Sequence, residues 1–369
     1  MKIERNKFHR SSENGVDVLL TESPETKAQI KKRKKITKIV VWSVVAALLF
    51  VFVLNILIMP ATGKYARVES VNVYNGDNPY ICFDDEGGLL LSAHRAGGDL
   101  APEETMAAFK LCMEADYVDV VEFDLHLTKD GVLVLMHDHE VDRTSNGPQV
   151  FGKKGVKIND KTLEELKKLN FGYNFETLNG EKPYQREMSV EELQAAQIQI
   201  LTLDEILTYL EYEARPEHNL KYIIEIKDGG KIGKQAMDLL YSTMVEYGIK
   251  DRTIVGTFKG DITKYIDDKY PDLIRSAGIT DVLNFYYAFL WGRKLAPKDV
   301  GFRVLQIPMG FNGFFDLATK AFVDYAHSLG IAVQYWTIND EDDMAYLQSI
   351  GADCIMTDNP ELANRVLNG

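Results

Sequence analysis

The chain reads as α/β: a distorted (β/α)8 barrel of the TIM type that carries an insertion and follows one N-terminal transmembrane helix. Three observations lead there. From residue 88 onward, short β-rich runs alternate with amphipathic stretches, as strand–helix units around a parallel sheet do. One Asp-Gly turn pairs two of those runs as a hairpin and leaves eight strands for the barrel. Residues 39–59 are 21 consecutive positions without a charge.

The N-terminal part is justified by charge. Residues 1–38 hold 11 Lys/Arg against 5 Asp/Glu, while the remainder holds 31 against 50. An uncharged stretch of 21 residues reaches ~31 Å as a helix, the hydrocarbon thickness of a bilayer. It is too long for the apolar core of a cleaved signal peptide. Lys31 to Lys35 and Lys38 precede it directly, and a basic cluster stays on the cytoplasmic side. The sequence therefore predicts a cytoplasmic basic tail (1–38), a single-pass anchor (39–59), a linker (60–87) and an outward-facing body (88–369) at the cell membrane. The chain has no Asn-x-Ser/Thr sequon, which favours a bacterial surface over a eukaryotic secretory route.

Within the body, strands are expected at 88–94, 118–127, 132–137, 222–227, 253–258, 273–277, 304–308, 332–337 and 354–357. Only Thr128-Lys-Asp-Gly131 separates the second from the third, too short for a crossover helix. With Asp130 and Gly131 at the centre of the turn, Asp124 falls opposite His137; a shift of one residue would exchange faces. Helical patterns cover 105–114, 231–247, 316–329 and 340–350. Thr162-Leu-Glu-Glu165 and Ser189-Val-Glu-Glu192 fit the capping box, and Asn339 precedes an acidic first turn. Residues 139–220 are too long for one loop and too polar for a barrel repeat, so they are read as an insertion above the C-terminal face.

Composition excludes several functions. A body of net −19 is a poor nucleic-acid surface, which needs a basic stripe. Cys82, Cys112 and Cys354 have no paired spacing, so neither a disulfide framework nor a thiolate metal site is indicated. With 46% apolar and 10% aromatic residues in 369, the body is globular. No protein partner is implied.

Catalytic groups of such barrels gather at the C-terminal ends of strands. Four strands end in Ser92-Ala-His94-Arg95, Glu122-Phe-Asp124, His137-Asp138 and Glu225-Ile-Lys227. Alternation places Glu122 with Asp124, and Glu225 with Lys227, on single faces. Three convergent carboxylates repel unless a cation joins them. An all-oxygen set favours a hard divalent ion, Ca²⁺ or Mg²⁺, with Mn²⁺ a further candidate, over Zn²⁺. His94 and His137 titrate near neutrality and suit general acid and base. Arg95 and Lys227 offer positive charge for a phosphate. His126 and His139 flank the same hairpin and are set aside as decoys.

These strings, in order, resemble the hallmark of the glycerophosphodiester phosphodiesterase family: His94-Arg95, Pro102-Glu103-Glu104-Thr105, Glu122-Phe-Asp124, Thr128-Lys-Asp-Gly131, His137-Asp138, Arg143-Thr-Ser-Asn-Gly147, Glu225-Ile-Lys227 and Trp336-Thr-Ile-Asn339. The resemblance implies hydrolysis of glycerophosphodiesters to an alcohol and glycerol 3-phosphate with one divalent ion. It implies His94 and His137 as the acid/base pair, Glu122, Asp124 and Glu225 as metal ligands, and Arg95 and Lys227 as phosphate contacts. Glu103 matches a family acid near metal or substrate, and Trp336 a wall of the glycerol pocket. The substrate is a small-molecule or lipid-derived phosphodiester. Lysophospholipids, glycerol-phosphate wall polymers and a non-catalytic binding module are the alternatives. Ala96 and Glu104 depart from the usual Gly and Asn.

Overall fold

The computed structural model of the chain describes residues 24–61, 78–82, 88–293, 295, 300–311 and 315–369, with backbone alone at 24–30, 52, 54–61 and 311. It divides into two units, 1–63 and 64–369.

In the first unit, one helix of 38 residues, Pro24–Ala61, contains the whole stretch expected to span a membrane. Its described side chains are exposed, Trp42, Leu48 and Phe50 among them at 65% or more. Among the described residues no helix is long and apolar enough to cross a membrane. The expected span runs on into positions 54–59, whose side chains lie outside them. So do residues 1–23 of the expected tail and most of the linker.

Among the described residues, the second unit has eleven strands: β1 (Leu90–Ala93), β2 (Val120–Leu127), β3 (Leu133–Leu135), β4 (Lys221–Ile226), β5 (Thr253–Gly256), β6 (Ile274–Arg275), β7 (Val304–Ile307), β8 (Gly310–Phe311), β9 (Phe315–Asp316), β10 (Ala332–Tyr335) and β11 (Cys354–Thr357). Eight run parallel in the order β6-β5-β4-β2-β1-β11-β10-β7. The open edges meet at a parallel bridge between Ser276 and Val304, where the Ala277 N–H donates to the Val304 carbonyl at 2.8 Å. A near-closed barrel results. All nine expected strands are present, most of them shorter than expected.

Inside the barrel, alternate residues of successive strands stack as a layer at the N-terminal end: Leu90, Val120, Ile223, Ile254, Val304, Ala332 and Cys354. Tyr80 and Cys82 pack into this same cluster. These two residues fall in the segment read from sequence as a linker, yet they seat in the barrel, and Asn78 Nδ2 fastens them by donating to the Arg303 and Gly330 carbonyls at 2.8 and 3.0 Å. One step of alternation above this layer, at Glu122 and Glu225, the inward positions of β2 and β4 become acidic.

The hairpin of β2 and β3 differs from expectation by one residue. Leu125 lies opposite Leu135, and the Met136 N–H donates to the Asp124 carbonyl at 3.0 Å. The reason is the loop. Gly131 N–H closes a turn onto the Thr128 carbonyl with Gly131 at φ +82°, and Thr128 pairs with Val132. That is a three-residue loop ending in a left-handed glycine, not a two-residue one.

The segment 139–220 is also less uniform than expected. Val141, Val156, Ile158, Leu166, Leu169 and Phe171 form a small core of their own against Val134 and Met136 of the hairpin arm. Its last α-helix, Leu203–Tyr209, instead packs with Leu203, Ile206 and Leu207 into the main core. It is the crossover helix leading to β4, and its capping box, Thr202-Leu-Asp-Glu205, is as legible as the two noted above. The helix Glu341–Ser349 is capped by Asp340, not Asn339.

Candidate active site

The site begins where β1 runs out. Beyond Ala93 the chain makes one tight turn, His94–Ala96, in which Arg95 (φ 49°) and Ala96 (φ 64°) are both left-handed. For residues other than glycine this conformation is disfavoured by about 1–2 kcal/mol. The turn aims the Arg95 N–H at Glu122 Oε2, 2.8 Å away. Glu104 (φ 56°) donates its own N–H to the Arg95 carbonyl at 3.1 Å, and its Oε1 accepts the Asp124 N–H at 2.6 Å. Arg95 and Glu104, both strained, are therefore joined by a hydrogen bond, one holding the Glu122 carboxylate and the other the Asp124 N–H, strain that the surrounding structure holds in place.

Asp124 stands level with Glu225 on the neighbouring strand. Glu122, Asp124, Glu225, His94, Arg95, His137, Lys227 and Trp336 all line one cleft. Of the residues expected at the site only Glu103 is not part of this lining. It accepts two bonds from Arg143, at 2.6 and 2.7 Å, and one from Arg95 at 3.3 Å. His137 reaches the cleft despite the shifted register because β3 ends at Leu135, so strand alternation no longer governs it.

Each cleft histidine is tied by Nδ1 to a carboxylate. His94 Nδ1 lies 2.5 Å from Asp358 Oδ1, and Asn339 Nδ2 donates to the other Asp358 oxygen at 2.8 Å. His137 Nδ1 lies 2.7 Å from Asp138 Oδ1, and Arg143 Nε donates to Asp138 Oδ2 at 2.6 Å. Such a bond orients the ring and leaves Nε2 for a reacting group. Burial disfavours the charged form of His94, but Asp358 and the charge of Glu122 outweigh it and raise its pKa. Asp358, against the effect of burial, is held below the usual carboxylate range by His94.

The acidic group is buried and self-repelling. Burial and the charge of Asp124 push the Glu122 carboxyl up to about 7 and Glu225 up to about 8. Both Asp124 oxygens are buried without a hydrogen-bond partner. Lys227 Nζ at 3.3 Å and Arg95 Nε at 3.7 Å are ion-pair neighbours outside hydrogen-bond geometry. Orphaned carboxylate oxygens between two more carboxyls fit a hard divalent cation. The donor atoms of the three carboxylates do not all lie within 4.8 Å of one another. Lys227 stands between Asp124 and Glu225, 3.1 Å from Glu225 Oε1. The two cations expected to meet a phosphate are thus also counter-ions of the acidic cluster.

Residues 94–362 match the Glycerophosphoryl diester phosphodiesterase family. The chain belongs to that family. A glycerophosphodiester phosphodiesterase of Caldanaerobacter subterraneus subsp. tengcongensis is 31% identical over 286 residues, which cover 76% of this chain and 98% of that relative. Among solved structures, a glycerophosphodiester phosphodiesterase from Agrobacterium tumefaciens str. C58 aligns with a TM-score of 0.54 at 19% identity, over 75% of this chain and 99% of that one. A phosphodiesterase from Oleispira antarctica in complex with the product sn-glycerol-3-phosphate aligns with a TM-score of 0.55 at 21% identity, over 76% and 97%. These two show the fold.

For this member of the family both departures now have a place. Ala96 carries a left-handed conformation that glycine takes freely. Glu104 is fully buried, and burial, Asp124 and Glu103 hold its carboxyl well above the usual range. A protonated carboxyl offers one acceptor and one donor, as an amide does. Sequence reasoning did not single out Asp358, Asp138 or Arg143 as site residues. An aspartate directly after His137 was a visible signal; nothing local marked Asp358, which lies 264 positions from its histidine. Phe258, half-exposed and edge-on to Trp336 at 6.0 Å, was likewise missed as a cleft wall.

Proposed function

We propose that the body hydrolyses glycerophosphodiesters to an alcohol and glycerol 3-phosphate, that a divalent cation assists, and that the N-terminal helix anchors it outward-facing at the cell membrane. The observation that carries the chemistry is the pairing of both cleft histidines with carboxylates at Nδ1 in the cleft that also holds Glu122, Asp124, Glu225, Arg95 and Lys227. One histidine takes the proton of the attacking hydroxyl, and the other delivers a proton to the leaving alkoxide. Attack by the substrate's own glycerol hydroxyl, followed by opening of a cyclic phosphate, and attack by water place the same demands on the pair. Glu122, Asp124 and Glu225 would hold the cation, which supplies charge stabilisation to the phosphoryl oxygens when bound. Arg95 and Lys227 balance the acidic cluster and present positive charge to the phosphate. Trp336 and Phe258 wall the glycerol side.

Family membership supports the reaction class and the family's dependence on divalent metal. The 21 uncharged residues inside one long helix, behind a basic cluster, support the anchor. A lipid-derived diester, presented at a bilayer, is the second reading, favoured by the half-exposed aromatic wall.

The test is glycerol phosphate release from glycerophosphocholine by the detergent-solubilised chain, with EDTA and with Ca²⁺, Mg²⁺ or Mn²⁺ restored, beside His94→Ala. Release that needs a metal and is lost in the variant is expected. Release that survives both EDTA and His94→Ala would overturn the assignment, and no release from any diester would return the binding-module reading.

A further inference from the structure

A second donor cluster lies outside the cleft. His126 sits near the end of β2 on the same face as Glu122 and Asp124, ~7 Å beyond Asp124 along the strand. Asp228 follows the end of β4, and His139 begins the inserted segment. Three separate strand ends thus meet at one point.

The three side chains bring one donor atom each within 4.8 Å of the others, the only such trio among the described residues. His126 Nδ1 is 2.8 Å from Asp228 Oδ1, and His139 Nδ1 is 3.9 Å from the same oxygen. These separations bracket the ~3.4 Å between ligand atoms of a tetrahedral centre with bonds near 2.1 Å. Asp228 is already oriented: its Oδ2 accepts the Leu127 N–H at 2.9 Å and Asn159 Nδ2 at 3.2 Å, which leaves Oδ1 to the imidazoles. Outer hydrogen bonds of this kind fix metal ligands in place. Lys259 Nζ sits 3.5 Å from His139 Nε2, so Nδ1 is the nitrogen that His139 turns to the cluster. His126 is wholly buried, and its Nε2 has no hydrogen-bond partner. His139 is half-exposed and leaves an entry path from solvent.

We propose that His126, His139 and Asp228 form a second metal centre, distinct from the carboxylate cleft, that takes a borderline transition ion such as Zn²⁺. Two imidazoles and one carboxylate suit Zn²⁺, whereas the all-oxygen cleft suits Ca²⁺ or Mg²⁺. None of the three residues lines the cleft. The ion ties the ends of β2 and β4 to the start of the insertion, two residues past His137. It is therefore a clamp on the segment that carries a proton-transfer histidine, and not a reactant.

The experiment titrates Zn²⁺ into the chelator-treated, detergent-solubilised chain against a chromophoric chelator and follows thermal melting alongside. Wild type, His139→Ala, His139→Gln and Glu225→Gln are compared. The expected result is a Zn²⁺ site that raises the melting temperature in wild type and in Glu225→Gln. In both His139 variants it is weakened at least ~10-fold and the thermal shift is lost. Because His139 is half-exposed, its variants keep the core, and unliganded melting near that of wild type verifies this. Zn²⁺ binding unchanged in both His139 variants, abolished only in Glu225→Gln, or absent from wild type, would overturn the proposal.

Discussion

Asp358 Oδ1 lies 2.5 Å from His94 Nδ1, although the two residues stand at opposite ends of the barrel sequence. They meet because β1 and β11 are parallel neighbours, with Ala93 level with Thr357. The next residue of each strand then enters the same rim. Asp358→Asn removes the charge that stabilises the His94 imidazolium. Turnover is expected to fall ~10²-fold with KM nearly constant, and the limb of the pH profile belonging to His94 moves to lower pH. A profile that keeps its shape while KM rises would make Asp358 a substrate contact instead.

Both histidines have separate partners, so each is expected to be needed. His94→Ala and His137→Ala should each lower kcat by ~10²-fold or more, with metal affinity retained. Near wild-type turnover in either variant removes that residue from the proton-transfer pair.

The acidic cluster predicts how the metal-free protein responds to pH. Burial and Asp124 raise Glu122 to about 7 and Glu225 to about 8, whereas an unfolded glutamate titrates at ~4.3. Between these values the folded state binds more protons than the unfolded one, so stability falls as pH rises. His94, also raised, adds to the trend; His139, lowered by its own burial and by His126, opposes it. Melting temperature in EDTA is expected to drop from pH 5 to pH 8, and Mg²⁺ or Ca²⁺ to restore it at the upper end. A flat profile in EDTA would contradict the burial of these mutually repelling carboxylates.

Glu104→Gln tests the neutral-carboxyl reading. A glutamine keeps the acceptor for the Asp124 N–H without adding charge, so melting at pH 6 should stay within a degree or two of wild type. Glu104→Ala leaves that buried N–H unpaired, a loss of about 1–3 kcal/mol. Strong destabilisation by Gln at pH 6 would mean that an ionised Glu104 holds the fold.

Gly131→Ala isolates the hairpin loop. Nothing lies within 4 Å of an added Cβ, so the effect is conformational: at φ +82° an alanine is disfavoured by about 1 kcal/mol. Urea denaturation should register that loss. No change would indicate a two-residue loop with the other register.

The sequence by itself determined a good deal. Strand positions, the alternation that puts Glu122 beside Asp124, the capping boxes and the ordered motif strings are local properties, written in neighbouring residues. Tertiary structure decided what depends on register and closure. One left-handed glycine shifted the β2–β3 pairing by a residue, which no hydrophobic pattern in so fully buried an arm could specify. Ring closure brought Asp358 to His94, and Tyr80 fills the barrel floor because its neighbours there come from strands far along the chain. The placement of Lys227 between Asp124 and Glu225 was also beyond local reading. It depends on the balance of repulsion and desolvation among groups from several strands, and that balance exists only once the barrel has excluded water from them.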